Sequence, residues 1–171
     1  ITCGLAKPAP FSSSANSPRI WNGILHYDLT ARSGHAAYGW FAAGCATSGG
    51  VVPHVVSTGL PVAGQPFTLQ FDGLPHDTAF AMLGFSRQQA PFGPLPFDLA
   101  AFGAPGCALR TSPDLSQVLF GSAHTATLAL DVPSDPAAIG LPFFVQALVL
   151  DPLANAASWV SSDAWAGVIG L

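Results

Sequence analysis

The chain has 171 residues, of which 50% are hydrophobic and only 8% charged, with a formal net charge of -4. That length and apolar content suit one domain with a real core and exclude a disordered chain. Five scattered cations (Lys7, Arg19, Arg32, Arg87, Arg110) give no cluster able to displace counterions from phosphates, so nucleic acid is excluded as a partner.

Residues 1–18 read as an extended N-terminal arm without periodicity, followed by a single domain over 19–171. Ile20–Leu29 is the first strand candidate, carrying Trp21, Ile24, Leu25, Tyr27 and Leu29, and His35–Phe41 is the second. Val51–Ser57 is β-branched and interrupted by Pro53, which suits an edge strand. Phe67, Leu69 and Phe71 alternate with Thr68, Gln70 and Asp72, the period of a half-buried strand. Ala79–Phe85 follows, and then Gln88–Phe97, rich in Pro and Gly, is expected to cross one end of the fold. Cys107–Arg110 and Leu115–Phe120 are short strand candidates. In His124–Val132, Ala126, Leu128, Leu130 and Val132 face inward and Thr125, Thr127, Ala129 and Asp131 outward. Phe143–Leu150 is an apolar run of central-strand length, and a last strand is placed at Val168–Leu171.

The fold class is therefore all-β: an antiparallel β-sandwich, jelly-roll-like or Greek-key, with about eight to ten short strands. All nine acidic residues are Asp, a turn and cap residue, and none is Glu, so long surface helices have little to be built from. No apolar run approaches the roughly 20 residues of a membrane-spanning helix; the two best, Ala36–Ala46 and Leu141–Leu150, reach half of that, and Gln146 interrupts the second. A chain that begins at Ile1 and holds Met82 as its only methionine is expected to be processed, and removal of a secretory signal fits.

Three cysteines, Cys3, Cys45 and Cys107, offer no CxxC spacing for zinc. One disulfide and one leftover thiol is the expected arrangement, with three buried thiols as the alternative. Cys45 and Cys107 each follow a glycine, and a bridge between them would close a loop of about 60 residues.

No Gly-x-Ser-x-Gly elbow is present; Gly84-Phe85-Ser86-Arg87 lacks the second glycine. Without Glu there is no His-Glu-x-x-His, and most aspartates adjoin turns, where capping explains them better than paired-carboxylate chemistry. The metal candidates to inspect first are His26, Asp28 and His124, since His26 and Asp28 share a strand face. No cofactor is expected, with calcium as the best-suited ion for an aspartate-rich chain. Trp21 and Trp40 are expected in the core. Tyr38, Trp159 and Trp165 are the candidate binding surface, because the two tryptophans sit in the weakly patterned segment 156–167.

Several phrases carry a family resemblance in their order and spacing: Tyr38-Gly39 with Gly44-Cys45; Gly59-Leu60-Pro61 with Gly64-Gln65-Pro66-Phe67; Leu83-Gly84-Phe85-Ser86; Leu95-Pro96-Phe97-Asp98-Leu99; Gly103-Ala104-Pro105-Gly106-Cys107-Ala108-Leu109; Ser112-Pro113-Asp114; and Phe144-Val145-Gln146-Ala147 running into Leu150-Asp151-Pro152-Leu153-Ala154-Asn155. Over about residues 38–171 the chain resembles a domain of secreted planctomycete and myxobacterial proteins, often placed at the C-terminal end of large extracellular chains. The resemblance implies a secreted all-β module in which Cys45 and Cys107 form the usual pair. It carries over no catalytic residue. The family's Ser-Asn-Gly-Leu phrase is replaced by Ser162-Asp163-Ala164-Trp165, so a surface turn specific to this chain is expected there.

These readings favour a non-catalytic extracellular module for assembly or binding, with other protein chains or copies of itself as partners and glycan as a further ligand class. The alternative is a small secreted hydrolase or metal-dependent enzyme. A polar pocket with two or more His or Asp would favour the enzyme; an exposed apolar patch or an added strand would favour the module.

Overall fold

Period-two alternation decides local structure wherever the sequence has it, and the strands form there. The computed structural model describes residues 34–171 together with two short strands nearer the N-terminus, β1 (Gly4–Ala6) and β2 (Asn16–Arg19). Those two pair antiparallel with each other inside the segment expected to be an irregular arm. The first strand candidate, Ile20–Leu29, and Trp21 lie outside the described residues. From there the order is β3 (Ala37–Ala42), β4 (His54–Ser57), β5 (Pro66–Asp72), β6 (Thr78–Gly84), β7 (Gln89–Ala90), β8 (Gly93–Pro94), β9 (Phe97–Asp98), β10 (Ala108–Leu109), β11 (Leu115–Phe120), β12 (Thr125–Asp131), β13 (Pro142–Leu150), β14 (Trp159–Ser161) and β15 (Ala164–Val168). The only helical turns described are single 3₁₀ turns at Ala100–Phe102 and Pro136–Ala138.

Two antiparallel sheets face each other. The smaller has the order β12-β5-β4, and the larger the order β11-β6-β13-β15-β3, with β14 beside β13. The chain passes from β5 to β6 on the other sheet, returns from β11 to β12 beside β5, and crosses again to β13 beside β6. Of the two expected connectivities this is the Greek key. Val55, Phe67, Leu69 and Phe71 of the smaller sheet meet Ala79, Ala81, Val145, Ala147 and Val149 of the larger. Large side chains on one face oppose small ones on the other, an arrangement that lets the two layers interdigitate. Each buried Phe or Leu contributes about 1.5–3 kcal/mol on leaving water.

The outer face of the larger sheet is also covered. The excursion from Phe85 to Ser112 crosses it, so residues of β13 are buried on both sides. Gln146, the residue that breaks the apolar run, is fully buried and satisfied there. Its Oε1 accepts from Arg110 N–H at 2.8 Å, and its Nε2 donates to the carbonyls of Ala108 and Ser162 at 3.1 Å each. Gly84 has no alternative on this face, because a Cβ would run into the Ser112 backbone. A disulfide joins Cys45 to Cys107 across 62 residues and pins the excursion to the segment between β3 and β4.

The final segment departs from expectation. The last strand is β15, four residues before the Val168–Leu171 placement, and β14 lies where no strand was read. Both are buried from Val160 to Ala164 without alternation, and Ser161, Ser162 and Asp163 are each hydrogen-bonded. A strand buried on both faces shows no period-two signal. The Ser162-Asp163-Ala164 phrase, expected as a surface turn, is interior for the same reason.

Candidate binding surface

Tyr38 on β3 and Trp165 on β15 face the interior and stack with ring centroids 5.2 Å apart and planes 15° apart. Phe143 continues the row, 6.3 Å from Tyr38 and 5.9 Å from Phe67. Its ring lies over Gly167, where a Cβ would strike it. Trp159 on β14 is half-buried beside Leu150, with its carbonyl held by Asn155 Nδ2 at 2.8 Å. The structure thus brings Tyr38 and Trp165 together and leaves Trp159 apart on a different strand. Trp40, expected in the core, is 45% exposed because β3 is the outermost strand of the larger sheet and extends past the smaller one. Burial, and then the negative charge of Asp163, push the Tyr38 phenol far above its ordinary value, so it stays neutral.

Of the metal candidates, His26 and Asp28 lie outside the described residues. His124 is exposed beside the β11–β12 turn, its Nδ1 3.0 Å from the Leu74 carbonyl. Among the described residues no three His, Cys or Asp side chains are grouped to hold a metal ion.

Sequence reasoning missed the best-built polar cluster. Asp163, 3% exposed, accepts Val55 N–H at 2.8 Å through Oδ1 and faces His54 Nδ1 at 3.0 Å through Oδ2. Its own N–H donates to the Pro53 carbonyl at 3.0 Å. A carboxylate on the larger sheet therefore clamps edge strand β4 of the smaller one. His54 is more than half exposed, so the pair reproduces two members of a Ser-His-Asp arrangement. Through these bonds the cluster clamps the two sheets together. No local pattern signalled it, since Asp163 sits in the weakly patterned segment 156–167.

Asp151 forms a second anchor. Burial raises its carboxyl, but Ser48 N–H at 2.7 Å, Ser48 Oγ at 3.0 Å, Leu153 N–H at 3.2 Å and the nearby His76 outweigh that and hold it below its ordinary value of 3.8. A depressed folded pKa stabilises the fold at higher pH. The contribution is complete above 3.8 and is lost as pH falls below it toward the folded value. In urea unfolding, Asp151→Asn is expected to be less stable than the parent at neutral pH, with the gap narrowing as pH falls through that window. A gap that is constant with pH would count against the assignment.

The side of the sandwich formed by β11 and β12 is built differently. Each is the edge of its sheet, and apolar clefts open between them. One of about 300 Å³ runs under Phe85, Leu141 and Ile169 down to Phe67 and Phe143. Another of about 230 Å³ lies over Ala81 and Leu128. They share Leu83, Leu115 and Leu130, so they form one apolar groove, and among the described residues lining it only Asp131 is ionisable. Leu115, which lines the groove, is 59% exposed, and on the opposite face of β11 Val118 is 48% and Phe120 82% exposed. Comparison with protein-family profiles, curated proteins and solved structures finds no match to this chain. Among the described residues, no helix is long and apolar enough to cross a membrane.

Proposed function

We propose that the protein is a non-catalytic, secreted module that works by association, through contacts with other protein chains or copies of itself. The observation that carries this reading is the open edge strand β11, which presents exposed Leu115 to an apolar groove and exposed Val118 and Phe120 on its other face. Exposed apolar surface that is contiguous and free of charge marks interaction sites on soluble domains. The Cys45–Cys107 disulfide supports an oxidising, extracellular setting, as does the resemblance to secreted planctomycete and myxobacterial domains. Low charge weakens self-repulsion between copies. Recognition of glycan by an aromatic platform has less support, since Tyr38 and Trp165 stack inward.

Light scattering of the full chain across micromolar concentrations, with and without residues 1–18, tests the reading. The expected result is a mass above that of one chain, rising with concentration. A strict monomer in both forms would overturn it.

A further inference from the structure

Strand β11 pairs with β6 and, among the described residues, with nothing on its other side. Its sequence, Leu-Ser-Gln-Val-Leu-Phe, contains no charge, proline or glycine, and its register with β6 runs without a bulge from Leu115 opposite Leu83 to Phe120 opposite Thr78. The other sheet edges carry protection that β11 lacks. Edge strand β4 follows Pro53 and is clamped by Asp163, β12 carries Asp131 within the strand, and the ladder between β15 and β3 is bulged, whereas Pro113 and Asp114 lie outside β11.

The hydrogen-bond phase shows which groups of β11 face outward. Gly121 N–H donates to the Asp77 carbonyl at 2.7 Å in continuation of the same register. Alternate residues Leu119, Gln117 and Leu115 therefore turn their N–H and C=O toward β6, and Ser116, Val118 and Phe120 turn theirs away from it.

We infer that β11 is the contact between two copies of this chain, joined antiparallel about a two-fold axis at Val118. This rests on the association reading above and names its surface and partner. The outward phase makes Ser116, Val118 and Phe120 the pairing residues, and an axis at Val118, the middle one, uses all three: Val118 meets Val118 of the second copy, and Ser116 meets Phe120. About six backbone hydrogen bonds form across the axis, and the larger sheet becomes continuous through both copies. Side chains agree with this pairing. An isologous contact sets a residue near its axis against itself, so a charge there would meet its like, and β11 has none. The nearest carboxylate, Asp114, is four residues from the axis, so the two copies of it lie about 27 Å apart at opposite ends of the paired strands. Phe120, at 82% the most exposed aromatic of the described residues, gains a neighbour over its strand.

The test uses the full chain. Val118→Pro deletes one outward N–H and removes no bond to β6, so the fold is retained and the mass is expected to fall by half. Val118→Lys and Val118→Asp place like charges at the axis, and each is expected to be monomeric, whereas an equimolar mixture restores a dimer. Amide exchange at Ser116, Val118 and Phe120 is expected to slow with rising protein concentration. Association that survives Val118→Pro and Val118→Lys would overturn the β11 contact and leave the association reading standing. A parent chain that is monomeric throughout would overturn both. Slow exchange at those three amides in a monomer would mean that the edge is covered within one chain, and would also overturn the inference.

Discussion

Loss of the Cys45–Cys107 disulfide is expected to lower stability by about 4 kcal/mol, the loop-closure entropy released to the unfolded chain when a link spanning 62 residues is cut. For a chain of this size that corresponds to a fall in thermal midpoint on the order of 10 °C. Cys45→Ala with Cys107→Ala is the appropriate variant, since Cys107 is buried and a serine there would leave a hydroxyl in the core. The damage has a location. The bridge holds the far end of the Phe85–Ser112 excursion against the outer face of β13, so amides of Ala108–Leu109 and the Arg110 N–H bound to Gln146 are expected to lose protection before the inner strands do. An unchanged midpoint in calorimetry would show that the cover holds without the link.

Asp163→Ala is expected to cost about 2–4 kcal/mol, because it strands the buried Val55 N–H and removes the partner of His54 together. Edge strand β4 then keeps its ladder with β5 and the main-chain bond from residue 163 to the Pro53 carbonyl, and loses the side-chain part of its clamp. Asp163→Asn is the informative companion. Its side-chain oxygen still accepts from Val55, and its amide can donate to a neutral imidazole nitrogen, so the expected cost is about 1 kcal/mol. Denaturant midpoints of the two variants measure the difference. Equal losses would mean that the charge, and not the hydrogen-bond geometry, holds the strand.

Where one face of a strand is wet, its pattern was legible. The alternation at Phe67–Asp72 and at His124–Val132 located β5 and β12, and the apolar run at Phe143–Leu150 located β13 within one residue. Leu115–Phe120 matches β11 at both ends. β13 is covered on both faces and was legible through its nearly unbroken apolar run; legibility failed where polar residues interrupt a strand that is covered on both faces. β14 and β15 are buried on both faces, so Ser161, Ser162 and Asp163 read as loop residues although each has an interior partner. Gln88–Phe97 was read as a loose crossing at one end of the fold and Cys107–Arg110 as a short strand, but the packing of this excursion over Gln146 depends on contacts between residues far apart in sequence. Trp40 was placed in the core by its hydrophobicity, yet burial there depends on how many strands the opposing sheet has, a property no local window contains. The groove between β11 and β12 escapes sequence reasoning for the same reason, since it exists only once two edges from different sheets come to lie together.

The pairing of β15 with β3 brings Leu171 beside Gly34, where the Leu171 N–H donates to the Gly34 carbonyl, with Val168 opposite Ala37 a few residues on. Load applied to the backbone at these two points acts across the strands and not along them. The β3–β15 ladder then opens like a zip, one rung at a time from the Gly34 end, and no rung shares its burden with the next. The early obstacle in that path is the Tyr38–Gly167 rung, where the Tyr38 ring is wedged between Trp165 and Phe143. Mechanical resistance in this direction therefore resides in one aromatic stack and not in the count of hydrogen bonds.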